Sequence, residues 1–400
     1  MVEDVRRALM EGKRSVPAVG AVVTGSSPHL PFVVVDGDGS EVEPVSIYLR
    51  DLLLGDVSPL TCRSYGYDLL RWQRLLWILQ TPWEKATEAE VAVLVGWLRE
   101  ARNPQRLRKR NNSPLPGSVN VKTGKSSLRE GYAPRTINHN LTVISGFYAF
   151  HARFGVGPVV NPVPASRERR QALAHRSPLE PAPAFRRGRL RQKVPAQAPR
   201  AIPDHQWDEL FAAMGCDRDR ALLEFYVSSG ARASELLAVG LGDVDWPGQL
   251  VYVISKGTRI RQAVPASPNA FRYLGNYLAI DGLPTPGQPI WRTRRGGSRP
   301  LTYWAMRRIL QRANDKLGTN WTLHDARHTA ATRMAGDDRL TLAEVQTILR
   351  HAHLDTTGRY LTARIEDMHD KLQEHYKRPR PQRTYATGYN PDDIKAVFGG

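Results

Sequence analysis

The chain has 400 residues, a length suited to about two to three domains, and its 41% hydrophobic and 24% charged content excludes a disordered or fibrous protein. A formal charge of +18 predicts attraction to a polyanion, most simply nucleic acid. Arginine outnumbers lysine 46 to 11, so part of this excess reflects residue choice rather than function. No apolar run approaches the ~18 residues that a membrane-spanning helix needs, and no long cationic amphipathic helix suggests a membrane surface. Val16 to Val23 is too short, and too broken by Pro17 and Gly20, for a signal-peptide core. With only Cys62 and Cys216, a reducing, cytoplasmic, nucleoid-associated setting is expected.

Residues 1–40 read as an N-terminal extension in which Pro31 to Val35 form a strand entering a tight Asp-Gly turn. Residues 41–163 read as a helical domain. Ser58-Pro59 opens a helix continued by Leu69, Trp72 and Leu76. Thr87 to Glu90 is a capping box ahead of Val91, Leu94, Val95 and Leu98 at helical spacing. Pro134 opens a third helix with Ile137, Leu141, Ile144 and Tyr148 on one face. Between the last two lies an exposed basic insert, 102–131. Residues 164–200 form a linker in which ten basic side chains face two acidic ones and prolines recur, either a solvated tether or a strap that tracks DNA.

From 201 to 378 the chain reads as a second, mostly helical domain. Trp207, Leu210, Phe211 and Met214 lie on one helix, Arg220 to Ser228 form another, and a short one follows Arg232. Leu250 to Ile254 and Ile260 to Val264 alternate around Ser255-Lys256-Gly257-Thr258, a hairpin signature. Helices are expected near 269–279, 302–316, 325–335, 341–350 and 356–374. Residues 379–400 form a tail in which Ile394, Val397 and Phe398 make an apolar stripe for docking on a neighbouring copy or on the chain's own domain.

Several residues carry phosphate chemistry. Arg232 follows a glycine break at a helix start, with Glu235 one turn later, and its planar fork can hold phosphate oxygens bidentately. Lys256 sits on the hairpin turn, where a flexible ammonium can reach a leaving oxygen. His324 and Arg327 are three apart on one helical face; His351 and Tyr360 follow. Singly, each has a plainer reading: a surface arginine, a solvated lysine, a packed tyrosine, a helix-capping pair in His324 and His328. Those two histidines also echo the spacing of a zinc motif, but aspartate replaces its glutamate and no third ligand is evident.

Taken in order, Gly-x-Arg-x-x-Glu-Leu at 230–236, Lys256 on a hairpin, His324-x-x-Arg327, and His351 nine residues before Tyr360 resemble the tyrosine recombinase (phage integrase) family. His351 fits that spacing better than His353. The resemblance covers 201–375 and, more weakly, a core-binding domain at 41–163. It implies a mainly α protein with a small antiparallel sheet, whose two domains form a C-shaped DNA clamp. It further implies that Tyr360 is the nucleophile, that Arg232, Arg327, His324 and His351 hold the phosphate, and that Lys256 is the general acid. Partners implied are double-stranded DNA, three further copies in a homo-tetramer on DNA, and room for a directionality or accessory factor. No phosphate-binding glycine loop or carboxylate cluster is present, so no cofactor or metal is expected. The chain departs from the family at Arg350, where glycine usually precedes the histidine.

Overall fold

The computed structural model describes residues 2–104, 114–165, 188–195, 200–255, 259–351, 358, 372–373, 375–377, 392 and 396. The chain divides into two compact units, Met1–Ala196 and Gln197–Gly400. Both are mainly helical with a small antiparallel sheet. No helix among the described residues is long and apolar enough to cross a membrane.

The first unit contains α1 (Val2–Met10), a hairpin of β1 (Ala21–Ser27) and β2 (Leu30–Val35), then α2 (Glu43–Leu54), α3 (Pro59–Ile78), α4 (Glu88–Glu100) and α5 (Pro134–Ala152). Pro59 starts α3 as its missing N–H allows, although the Ser58 hydroxyl makes no cap bond. At α4 the capping box is complete: Thr87 Oγ1 accepts from Ala89 N at 3.2 Å, and Glu90 Oε2 accepts from Thr87 N at 2.8 Å. The apolar faces of these helices bury Leu69, Trp72, Leu94, Ile144 and Phe147 in one core. Trp72 Nε1 donates to Tyr148 Oη at 3.1 Å, which donates to Trp83 O at 2.9 Å.

Residues 2–35, set apart by sequence as an extension, are built into that core: Leu9 and Val34 are wholly buried in it. Part of the linker is also held. Asn138 on α5 donates from Nδ2 to Gln192 O at 2.9 Å and accepts from Gln192 N at 2.7 Å. Arg191 Nη1 reaches Thr142 Oγ1 at 3.0 Å, and Arg189 Nε reaches Glu88 Oε1 at 2.6 Å. Residues 188–195 therefore lie against α4 and α5.

The second unit contains α6 (Asp204–Ala212), α7 (Asp217–Ser229), α8 (Ala233–Leu237), the sheet β3 (Val244–Asp245), β4 (Leu250–Ile254) and β5 (Arg261–Pro265), then α9 (Pro268–Asp281), α10 (Tyr303–Leu317), α11 (Leu323–Ala335) and α12 (Leu342–Leu349). Strand order is β3-β4-β5, with Val251 opposite Val264 and Val253 opposite Gln262. Alternation buries Val251, Val253 and Val264 against a core that includes Leu222, Phe225, Tyr226 and Trp291. A smaller cluster of Ala331, Val345 and Leu349 seats α12 on α11. Helix α11 begins two residues before the expected 325, because Thr322 and Asp325 form a capping box that takes His324 into the first turn. Most of the expected helix 356–374, and Ile394, Val397 and Phe398 of the tail, lie outside the described residues.

Candidate active site

The site grows from the end of α7. Gly230 caps that helix at φ 59°, a left-handed conformation, and a Cβ there would stand 2.6 Å from Leu349 Cδ2. Glycine alone lets the end of α12 approach this closely. The chain then turns into α8 with Arg232 as its extended N-cap.

Glu235, on the first turn of α8, is almost wholly buried, and among the described residues three donors meet its carboxylate. Arg232 N donates to Oε2 at 2.9 Å, Arg232 Nη1 to Oε1 at 2.7 Å, and Arg350 Nη2 to Oε2 at 3.0 Å. Burial by itself would raise the pKa of Glu235. The hydrogen bonds from Arg232 and the charges of Arg350 and Arg232 outweigh it and hold the carboxyl below its ordinary value. The Arg232 side chain keeps 31% of its surface open while one edge is fixed by Glu235.

Arg327, on the second turn of α11, is 6% exposed. It donates from Nη1 to Gly230 O and from Nη2 to Leu349 O at 2.5 Å, fastening the ends of α7 and α12 together. Helix α12 ends because Arg350 adopts φ 54° and ψ 48°. This is the left-handed region that glycine favours, so Arg350 holds a glycine-like backbone.

His351 follows. Its N donates to Gln346 O at 3.1 Å, and Gln346 Nε2 donates back to His351 O at 3.1 Å. Burial and the charges of Arg327, Arg232 and Arg350 push its pKa down to about 4. The imidazole is therefore neutral at pH 7 and able to donate through one nitrogen while accepting through the other. His324 is exposed on the first turn of α11, its ring edge-on to His328 at 4.2 Å between centroids. Among the described residues no three His, Cys, Asp or Glu side chains converge as metal ligands.

The structure thus brings together Arg232, Arg327 and His351 at the 349–351 turn, with His324 on the helix that carries Arg327. Lys256 and Tyr360 lie outside the described residues, Lys256 between strands β4 and β5. What sequence missed is the second partner of Glu235: Arg350 reaches it across 115 residues, with no local signal beyond a charged residue in place of glycine.

Residues 201–366 match the model of the phage integrase family. A tyrosine recombinase XerC from Pelobacter propionicus is 31% identical over 170 residues, covering 41% of this chain and 55% of that protein. The chain spans about half the length of curated relatives it matches. The lambda integrase dimer bound to a COC' core site has a TM-score of 0.54 at 16% identity, over 80% of this chain and 76% of its own. The Tn1549 transposon integrase in complex with circular intermediate DNA has 0.55 at 14% identity, over 82% and 98%. At such identities these two structures show a shared fold.

Proposed function

We propose that this chain, whose residues 201–366 match the phage integrase family model and which is similar to XerC tyrosine recombinases, is a site-specific recombinase that cuts and rejoins duplex DNA. Tyr360 attacks the scissile phosphorus. Its Oη–P bond forms as the P–O5′ bond breaks, leaving a 3′-phosphotyrosyl link and a 5′-hydroxyl. Lys256 delivers the proton to the departing 5′-oxygen, and His324 takes the proton of Tyr360. An unperturbed tyrosine has a pKa of about 10, so it needs both that base and a cationic pocket. Religation runs the same bonds backwards: the 5′-hydroxyl attacks, Tyr360 leaves, and no external energy source is consumed.

The observation that carries this reading is that Arg232 and Arg327 are both fixed to the turn that presents His351. Two permanent cations and a neutral imidazole are thereby gathered at one turn. That is the arrangement required to hold the non-bridging oxygens of a phosphodiester while negative charge builds on them. His351 binds the phosphate as a neutral donor, which spares the site a further desolvated charge.

We place the activity in a mobile element, with strand exchange by four copies on two duplexes and an accessory factor setting direction. The basic insert at 102–131 and the arginine-rich linker support a DNA contact longer than the cleavage site alone. The test is covalent trapping. Wild type and Tyr360→Phe are incubated with nicked suicide duplexes drawn from the DNA flanking the gene, then run on denaturing gels. A wild-type adduct that the variant lacks is expected. An adduct that persists in Tyr360→Phe would overturn the nucleophile. Tight binding of those duplexes without any adduct would reduce the protein to a DNA-binding role.

A further inference from the structure

We propose that Arg350 is a positioning residue for Arg232, holding its guanidinium in phosphate-binding orientation through the shared carboxylate of Glu235. The inference rests on the reading of Arg232 as a phosphate ligand and goes beyond it, because it assigns work to Arg350, which the proposed mechanism does not use.

Three features support it. The first is the division of Glu235: Oε1 takes Arg232 Nη1, while Oε2 takes Arg232 N and Arg350 Nη2. A carboxylate facing a lone arginine tends to chelate it with both oxygens. With Oε2 shared by Arg232 N and Arg350 Nη2, the bond from Glu235 to the Arg232 guanidinium runs through Oε1 to one amino group. The other, Nη2, is left at 3.4 Å from Arg350 O, a long bond that a phosphate oxygen can replace.

The second feature is the backbone. Arginine at φ 54° is strained where glycine would not be, yet this conformation is what turns the Arg350 carbonyl toward Arg232. Side chain and backbone of one residue therefore contact the same guanidinium, one through Glu235 and the other directly. The third is burial. The Arg350 side chain is 5% exposed, its Nε has no hydrogen-bond partner among the described residues, and burial lowers its pKa. A desolvated cation in such a place is retained only against a strong counter-charge, and Glu235 provides it.

Arg350→Gly is the decisive variant, since glycine suits the left-handed backbone and only the side chain is lost. Adduct formation is followed in single turnover at saturating suicide duplex. For Arg350→Gly the expected result is a rate roughly tenfold to a hundredfold lower, in the range seen when one oriented oxyanion donor is disturbed. Melting temperature should stay near wild type, and half-saturating DNA concentration should rise far less than the rate falls, because the scissile phosphate is one of many phosphate contacts. The acid limb of the pH–rate profile should move upward, because His351 loses one of the cations that keep it neutral. Arg350→Lys, which keeps a charge within reach of Glu235, should recover part of the rate. Wild-type rates in Arg350→Gly overturn the proposal, as does a rate loss matched by an equal loss of DNA affinity or of folding.

If wild type itself forms no adduct, the reading of the site fails first, and a DNA-free measurement decides the role of Arg350. Inorganic phosphate is titrated while the Nε–H resonance of Arg232 is followed by NMR. Phosphate affinity at least fivefold weaker in Arg350→Gly is expected, and unchanged affinity overturns the proposal.

Discussion

Arg232 and Arg327 are fastened to neighbouring carbonyls of one turn: Arg232 Nη2 donates to Arg350 O at 3.4 Å and Arg327 Nη2 to Leu349 O at 2.5 Å. The two bonds differ in kind. The short one is buried and joins Arg327 to the scaffold, whereas the long one lies on the half-open side of the site. Arg327 thus also sets where the turn stands, and Arg232 can exchange its long carbonyl bond for a phosphate oxygen.

Arg327→Lys tests the first half of that contrast. A single ammonium cannot serve Gly230 O and Leu349 O together in the geometry of a planar fork, so one buried carbonyl is orphaned. Urea denaturation followed by tryptophan fluorescence should show the second unit destabilised by about 1–3 kcal/mol. Arg232→Lys, at a more exposed position, should lower stability by less than about 1 kcal/mol. Equal losses in the two variants would contradict the division of labour.

Gly230→Ala meets two obstacles, a φ of 59° and a Cβ 2.6 Å from Leu349 Cδ2. The strained backbone alone costs on the order of 1–2 kcal/mol, and Leu349 must move as well. Because Leu349 O is a ligand of Arg327, its displacement should also reduce cleavage. A melting temperature within a degree of wild type would refute this account of Gly230.

Acid should destabilise the second unit, and His351 fixes the window. Its folded pKa of about 4 lies below the ordinary 6.5, so between these values the unfolded chain binds more protons than the folded one. The stabilisation is complete above about pH 6.5 and is lost progressively as pH falls toward 4. Glu235, also held below its ordinary pKa, acts in the same direction at lower pH, and its share disappears as pH falls through that depressed value. His351→Gln should flatten the curve between pH 6.5 and 4 while leaving the more acidic part unchanged. Parallel curves for the two proteins would rule out His351 as the group responsible.

These side chains were legible in sequence to different degrees. The capping box at Thr87 and Glu90 and the strands flanking Lys256 carry local signals, and both appear where their chemistry places them. Helix α8 after Arg232 was equally visible, since a glycine break and an Arg-x-x-Glu pair are short-range features. β3 was not, because two residues cannot display an alternating pattern. The packing of residues 2–35 onto α3 and α4 was also invisible: it depends on scattered side chains such as Leu9 and Val34 meeting a distant core. Arg350 was visible only as an anomaly. Its meaning needed Glu235, 115 residues away, and a φ of 54° that composition does not encode.

The strap at 188–195 offers a test away from the site. Asn138 pairs with Gln192 as a strand residue would, donating to its O at 2.9 Å and accepting from its N at 2.7 Å. Arg191 adds a bond to Thr142, and Leu190 packs against the core of the first unit. Two neutral hydrogen bonds contribute about 1–3 kcal/mol together, and every 1.4 kcal/mol is about a tenfold change in an opening equilibrium. Asn138→Ala should therefore speed tryptic cleavage after Arg189, Arg191 and Lys193 by roughly tenfold in native conditions, while the global melting temperature changes little. Cleavage there at the wild-type rate would mean that the strap is held by Leu190 and the arginines alone, and that its pairing with Asn138 does not govern its release.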